Sequence, residues 1–399
     1  MTYDVERIRK QVPALAEGAA HFDGPGGTQI PDPVADAMAE TLRSAVSNRG
    51  RGTPAERRAD DIVVGSRQAM ADLLGADPQG IVFGRSMTQI TMDIARTLAA
   101  DWGPGDEIVV SRLDHDADVR PWVIHAGNAG ATVRWAAFDP ATGEMQPDDV
   151  LQHVNERTRI VALTGASNLI GTRPDLATIA AGVHDAGALF YVDGVHLTAH
   201  APIDVQAIGA DFYACSPYKF LGPHLGALAA APALLETLHP DKLLPATNVV
   251  PERFELGTLP YELLVGVTAA VDFLADLVPS QGSRRERLMA SLTALEAYED
   301  ALHARMRAGL EQVRGIRLYS NARHRTPTET FTIEGIESAE VSRRLAERGV
   351  SAPASNFYAL EVSRWLGLGD AGGVRVGLAP YSNDDDVDRL IAGLMDIAT

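Results

Sequence analysis

The chain contains one cysteine, Cys215, in 399 residues. It therefore forms no internal disulfide, and it offers no cage of cysteine ligands to a metal. Lysine is almost as scarce: among 35 basic residues only Lys10, Lys219 and Lys242 are lysines, so chemistry that needs a neutral amine has three candidates. No apolar run reaches the roughly 18 to 20 residues that a membrane helix requires. The opening MTYDVERIRKQVPALAEG also lacks the basic-then-apolar layout of a signal peptide, so a cytoplasmic protein with no membrane partner is expected. Positive charge is short as well. Against those 35 bases stand 53 acids spread along the chain, a formal net charge of −18, which argues against nucleic acid as a partner. What is present is ordinary globular composition, 46% hydrophobic and 22% charged, and enough length for one large and one smaller domain.

Residues 1 to 20 read as a short amphipathic helix, and HFDGPGGTQIP (21 to 31) as a glycine-rich turn entering a helix over 33 to 47. Another helical stretch covers 54 to 74. From there short apolar strands alternate with helix-like segments: IVFG (81 to 84), EIVVS (107 to 111), TVRWAAF (132 to 138), RIVALTGAS (159 to 167), LFYVDG (189 to 194) and FYACS (212 to 216). Continuous apolar strands in such a series predict an α/β fold with a mostly parallel sheet covered on both faces. GALAAAPALLETL (226 to 238) reads as a strand turning back into a helix, and PYELLVGVTAAVDFLADL (260 to 277) as a buried helix. A long charged helix over 283 to 313 opens a different texture. Three strand candidates follow, GIRLYS, ETFTIEG and GGVRVGLAPYS, with helices over 338 to 349 and 384 to 399. The predicted organisation is an N-terminal segment (1 to 20) packing with the small domain, a large α/β domain (21 to 280) and a small C-terminal α+β domain (281 to 399).

Chemistry concentrates in YVDGVHLTAHAPIDVQAIGADFYACSPYKFLGPHLGALAA (191 to 230). One strand ends in Asp193, a second ends at Ser216, and Lys219 follows at once in a turn. Ligands of doubly wound sheets sit outside the carboxyl ends of the strands, so the acid and the amine converge on one crevice. That pair suits pyridoxal phosphate: the lysine forms a Schiff base, and the carboxylate keeps the pyridine nitrogen protonated. Taken singly, each residue also reads as ordinary turn chemistry. A nicotinamide-binding reading of DGPGG (23 to 27) fails, because no strand precedes it and the G-x-G-x-x-G spacing is absent. Those glycines instead let the backbone approach the substrate near the mouth of the site.

In order along the chain, these segments resemble the class V aminotransferase family of pyridoxal-phosphate enzymes, and within it the cysteine desulfurase and selenocysteine lyase branch. VDG (192 to 194) and SPYK (216 to 219) match its strand-Asp-Gly and Ser-x-x-Lys elements, and the likeness runs from HFDGPGGTQIP to RVGLAPYSNDDDVDRL. The resemblance implies a fold type I transferase with a seven-stranded large-domain sheet. It implies that His115, in LDHDADVRPW, lies over the cofactor ring and relays protons, and that Asn168, in SNLIGT, serves the cofactor's phenolic oxygen and the substrate, with His196 near the same oxygen. For the phosphate it implies Ser86, Met87 and Thr88 at a helix N-terminus, where the family's usual Gly-Thr-Thr is replaced, together with Ser216 and Tyr218. Thr258, in RFELGTLPYE, would reach the phosphate of a neighbouring subunit, which makes the enzyme a homodimer. Arg375 would grip an α-carboxylate, and Arg49, with Arg51 close by, would add a second arginine.

The desulfurase loop ahead of the carboxylate-binding arginine carries a nucleophilic cysteine in the family, and here VSAPASNFYALEVSRWLGLGDAGG (350 to 373) has none. Cys215 sits on a predicted buried strand. The expectation is therefore a C–S β-lyase giving pyruvate and ammonia without a loop persulfide. A class V aminotransferase, an amino-acid epimerase, or a non-catalytic ligand-binding protein are the alternatives. Phe357 and Tyr358 either line the pocket or pack inward.

Overall fold

The computed structural model describes residues 3–399; the first two residues of the predicted N-terminal segment lie outside it. Seven strands form the main sheet: β1 (Ile81–Gly84), β2 (Glu107–Ser111), β3 (Thr132–Ala136), β4 (Thr158–Thr164), β5 (Leu189–Asp193), β6 (Phe212–Cys215) and β7 (Gly226–Ala230). Their spatial order is β1-β7-β6-β5-β4-β2-β3. β7 runs antiparallel to β1 and β6, and the remaining pairs are parallel.

Burial on both faces explains the continuous apolar runs. Val161, Leu163, Phe190 and Val192 enter one hydrophobic cluster, while Ile160, Ala162 and Tyr191, their neighbours on the same strands, enter another. A strand turns successive side chains to opposite faces, so a sheet covered on both sides must be apolar at every position. Helices Pro54–Leu74 and Tyr261–Ala275 supply Val63, Met70, Leu264 and Val267 to the first cluster; helices Met87–Ala99 and Arg120–Ala129 supply Ile90, Ile94 and Trp122 to the second. Full burial of one such side chain contributes about 1.5–3 kcal/mol. Polar chemistry is thus pushed to the rim.

Register brings the rim residues level. Thr164 pairs with Asp193 and Asp193 with Ala214, so the carboxyl ends of β4, β5 and β6 finish side by side. Two glycines make the close packing there possible. A Cβ at Gly194 would lie 2.0 Å from the Tyr213 ring, and one at Gly226 would lie 2.4 Å from the backbone nitrogen of Met87. The second contact seats β7 directly against the N-terminus of helix Met87–Ala99.

A second, antiparallel sheet contains β8 (Ile316–Leu318), β9 (Thr328–Ile333), β10 (Ala354–Ser355) and β11 (Gly373–Gly377), in the order β10-β11-β9-β8. The sequence predicts three of these; β10, two residues long, is too short to show a period. Val374 and Val376 pack with Leu302, Met306, Leu390 and Leu394 in a third cluster. Period-two alternation then turns Arg375 to the opposite face, toward the main sheet. The predicted N-terminal helix is in fact broken: helix Val5–Arg9 gives way to a turn at Pro13–Glu17, and Ala20–His21 pairs in parallel with Val350–Ser351. Pro13 lacks the N–H that a continuing helix needs. The segment also touches the C-terminal part of the chain, with Tyr3 stacked on Tyr298 at 4.6 Å.

Candidate active site

Lys219 closes the turn Pro217–Lys219 immediately after β6, and its Nζ donates to the Pro25 carbonyl at 2.6 Å. The glycine-rich segment therefore reaches the amine, as its position near the mouth predicts. One cavity is lined by Lys219, Asp193, His115, Asn168 and His196, and at its other end by Met87, Thr88, Ser216 and Tyr218. Residues from four strand ends and a helix start converge there.

The electrostatics follow from burial. Burial lowers the Lys219 amine to about 7, and the Arg375 charge works in the same direction. Burial raises Asp193 to about 6, although its Oδ1 accepts the Val195 N–H at 2.9 Å. His115 is held down at about 3 by burial and then by Lys219 and Arg375, so its ring is neutral. Its Nδ1 accepts the Ala117 N–H at 3.0 Å, which places the ring proton on Nε2. His196 is likewise kept neutral by burial; its Nε2 lies 2.9 Å from Thr326 Oγ1 and 3.0 Å from Thr328 Oγ1, leaving Nδ1 without a partner. Asn168 donates from Nδ2 to the Phe357 carbonyl at 3.0 Å, and its Oδ1 is also left without a partner.

A profile of the family described as Aminotransferase class-V matches residues 20–390. The chain belongs to the class V aminotransferase family. It is 34% identical over 399 residues to an uncharacterized protein of Mycobacterium tuberculosis, covering 99% of each, and 30% identical over 421 residues to a cysteine desulfurase of Klebsiella pneumoniae, covering 100% of this chain and 99% of that one. Among solved structures it is similar to the cysteine desulfurase CsdA of Escherichia coli, with a TM-score of 0.87 at 27% identity and full coverage of both chains. The fold is that of the fold type I enzymes, and this family member is a pyridoxal-phosphate-dependent enzyme. Its cavity suits the cofactor. A buried amine near neutrality faces a buried carboxyl, two buried polar atoms, Asn168 Oδ1 and His196 Nδ1, lack partners, and the free N–H groups of a 13-residue helix open at one end.

Three residues named from the family pattern lie elsewhere in this chain. Ser86 is not on the cavity wall: it is the N-cap of helix Met87–Ala99 and its Oγ accepts the Gln89 N–H at 3.1 Å, so its hydroxyl is committed to the helix. Arg49 is drawn away by two carboxylates, pairing with Asp60 at 2.8 Å and with Glu252. Thr258 lines a separate cleft of about 610 Å3 beside Gln89, Asp93 and His224. Arg375 does not line the cavity either, but it is buried beside it and donates from Nη1 at 2.9 Å to the carbonyl of Asn168, which does.

The sequence reading leaves one feature open and misses another. One is the turn at Phe357 and Tyr358, which reaches the site: the Arg375 guanidinium lies 3.8 Å from the Phe357 ring centroid, and Tyr358 stacks on His115 at 5.7 Å. The other is a pair of carboxyls behind His115. Asp114 and Asp118 are both fully buried, and the Asp114 charge adds to the rise at Asp118. Ser111 donates to Asp114, Trp122 Nε1 donates to Asp118 at 3.1 Å, and each carboxyl keeps one oxygen with no partner. Burial raises both well above the usual carboxyl range, and the charge of Asp193 adds to it. At low pH the folded and unfolded chains hold these protons alike. Above about pH 3.9 the unfolded chain releases what the folded dyad retains, so this pair makes stability fall as pH rises. Asp118→Asn keeps a donor of the same shape and removes one titration. Its melting temperature is expected to fall less steeply than the wild type's between pH 5 and 8, ending roughly 2–4 °C higher; parallel curves would refute the raised pKa of Asp118. His115 titrates in both proteins and cancels in the comparison.

Proposed function

We propose that the enzyme is a C–S β-lyase acting on a sulfur-bearing α-amino acid, without a persulfide on a loop cysteine. The observation that carries the substrate class is Arg375: a buried guanidinium that burial lowers to about 9, with Nε lacking any partner. A cation left in that state calls for an anion, and its planar edge suits a carboxylate held by two parallel bonds. The only thiol, Cys215, lies within β6, and burial raises its pKa, so a thiolate able to accept sulfur is not available there.

The net reaction joins one water to the amino acid and gives a thiol, pyruvate and ammonia. Pyridoxal phosphate, when bound, supplies an electron sink for the pair left at Cα. The chain's own residues do the rest. Lys219 would hold the cofactor and, as an amine near neutrality, take the Cα proton; Asp193 would serve the pyridine nitrogen, and Asn168 and His196 the phenolic oxygen. Met87 and Thr88 offer backbone N–H groups to the phosphate, joined by Ser216 and Tyr218. His115, its Nδ1 occupied by the Ala117 N–H, would lie over the ring with Nε2–H available to donate. In the same reading the enzyme is a homodimer and Thr258 completes the partner's phosphate site. Thr258 lines its own cleft, and Leu244 and Leu256 of the same stretch are 97% and 52% exposed, which supports an interface there.

Incubation with L-cystine or L-cysteine is expected to give pyruvate with no added keto acid. Amino transfer that appears only when 2-oxoglutarate is supplied would overturn the lyase in favour of the aminotransferase reading, which the family's name favours. Loss of optical purity without pyruvate would point to an epimerase.

A further inference from the structure

We propose that Phe357 is a positioning residue that fixes the orientation of Arg375 toward the substrate carboxylate, an inference that rests on the role given to Arg375 above. Three contacts close a ring. The Phe357 carbonyl accepts from Asn168 Nδ2 at 3.0 Å, the Asn168 carbonyl accepts from Arg375 Nη1 at 2.9 Å, and the Arg375 guanidinium lies 3.8 Å from the Phe357 ring centroid. One face of the guanidinium is therefore covered and one nitrogen is committed. The edge bearing Nε, which has no partner, is left for the ligand. An aromatic ring under a guanidinium resists its rotation without neutralising it, which a carboxylate partner would do.

The backbone points the same way. Phe357 and Tyr358 are consecutive non-glycine residues with φ of +51° and +58°, a conformation that bulky residues rarely adopt. The turn is held by neighbours on every side. Asn356 Oδ1 accepts the Tyr358 N–H at 2.9 Å, Ser355 Oγ accepts the Phe357 N–H at 3.3 Å, and the Tyr358 carbonyl accepts the Asp116 N–H at 2.7 Å. Strained backbone persists where its surroundings over-determine it, and such places cluster at ligand-gripping sites. Here the strain serves to bring one ring and one carbonyl onto the two residues that face the substrate.

The test uses the holoenzyme and two simple amines, L-alanine and ethylamine, which differ by the carboxylate, with binding read from the change in cofactor absorbance. Phe357→Ala is expected to weaken L-alanine about 10-fold, within the range of a desolvated cation–π contact, while ethylamine binding and the resting spectrum stay as in the wild type. Phe357→Leu keeps bulk without the π face and is expected to lose about 3-fold, at the weak end of that contact; it decides the matter if Phe357→Ala does not load cofactor. Equal losses for both amines, or none for either, would overturn the proposal. If Arg375→Leu leaves the preference for L-alanine over ethylamine intact, the carboxylate role of Arg375 fails instead, so the two failures are told apart.

Discussion

Lys219→Ala is expected to lose its visible cofactor absorbance on desalting and to lower pyruvate formation by about 10,000-fold, the upper range for removing a positioned proton-transfer group that also anchors the cofactor. The size of the effect follows from the site having one amine. Neither Lys10 nor Lys242 lines the cavity that holds Lys219. Burial, helped by Arg375, lowers the Lys219 pKa to about 7, so near pH 7 a large fraction is already the free base that both the covalent linkage and Cα proton removal need. The same shift has a cost in stability. Between about pH 7 and 10.4 the unfolded chain holds a proton that the folded chain has released, so this residue makes stability rise with pH across that window. Lys219→Ala is expected to remove that slope, visible in melting temperatures measured from pH 7 to 10. Lys219→Arg should not rescue activity, because a guanidinium stays charged. A variant that keeps both the absorbance and the rate would end the assignment.

What could be read from the sequence divides along a physical line. Asp193 and Lys219 were legible because strand ends announce themselves: an apolar run stops, a polar residue appears, and parallel register guarantees that such ends share one rim. The sheet itself was legible for the same reason, down to the returning strand Gly226–Ala230. Arg49 was not, because its fate depends on Asp60 and Glu252, the second of which is about two hundred positions away in sequence. Ser86 could have been placed correctly: a serine directly before an apolar-periodic helix, with an unpaired N–H three residues on, is an N-cap signal in its own right. The Asp114–Asp118 dyad was hidden, since nothing in LDHDADVRPW says that two of its three acids point into a dry interior. Phe357 and Tyr358 could not be sorted between pocket and core because a left-handed pair of aromatics has no sequence signature. Local pattern carried the elements, and long-range partners decided the side chains.

Arg375→Leu is expected to lower kcat/KM by about 100- to 1,000-fold, as for a buried charge-assisted contact that loses one partner, with most of the loss in KM. In the proposed role the substrate carboxylate is held in the resting complex and through the reaction alike, so loss of the arginine weakens ground state and transition state together. Arg375→Lys should recover little, because an ammonium has no planar edge to hold a carboxylate by two parallel bonds and no flat face to stack on Phe357. Stability should move the other way. Arg375 lies on the inward face of β11 opposite Thr330, buried with Nε unpaired, and a leucine, though shorter, places no charge there. The ligand-free variant is expected to melt roughly 2–4 °C above the wild type, while addition of L-alanine raises the melting temperature of the wild type alone. That opposition separates an arginine kept for its ligand from one kept for the fold. A structural arginine would lose stability on replacement and leave KM untouched, whereas a cation held ready for an anion is released from a standing cost when the charge is removed.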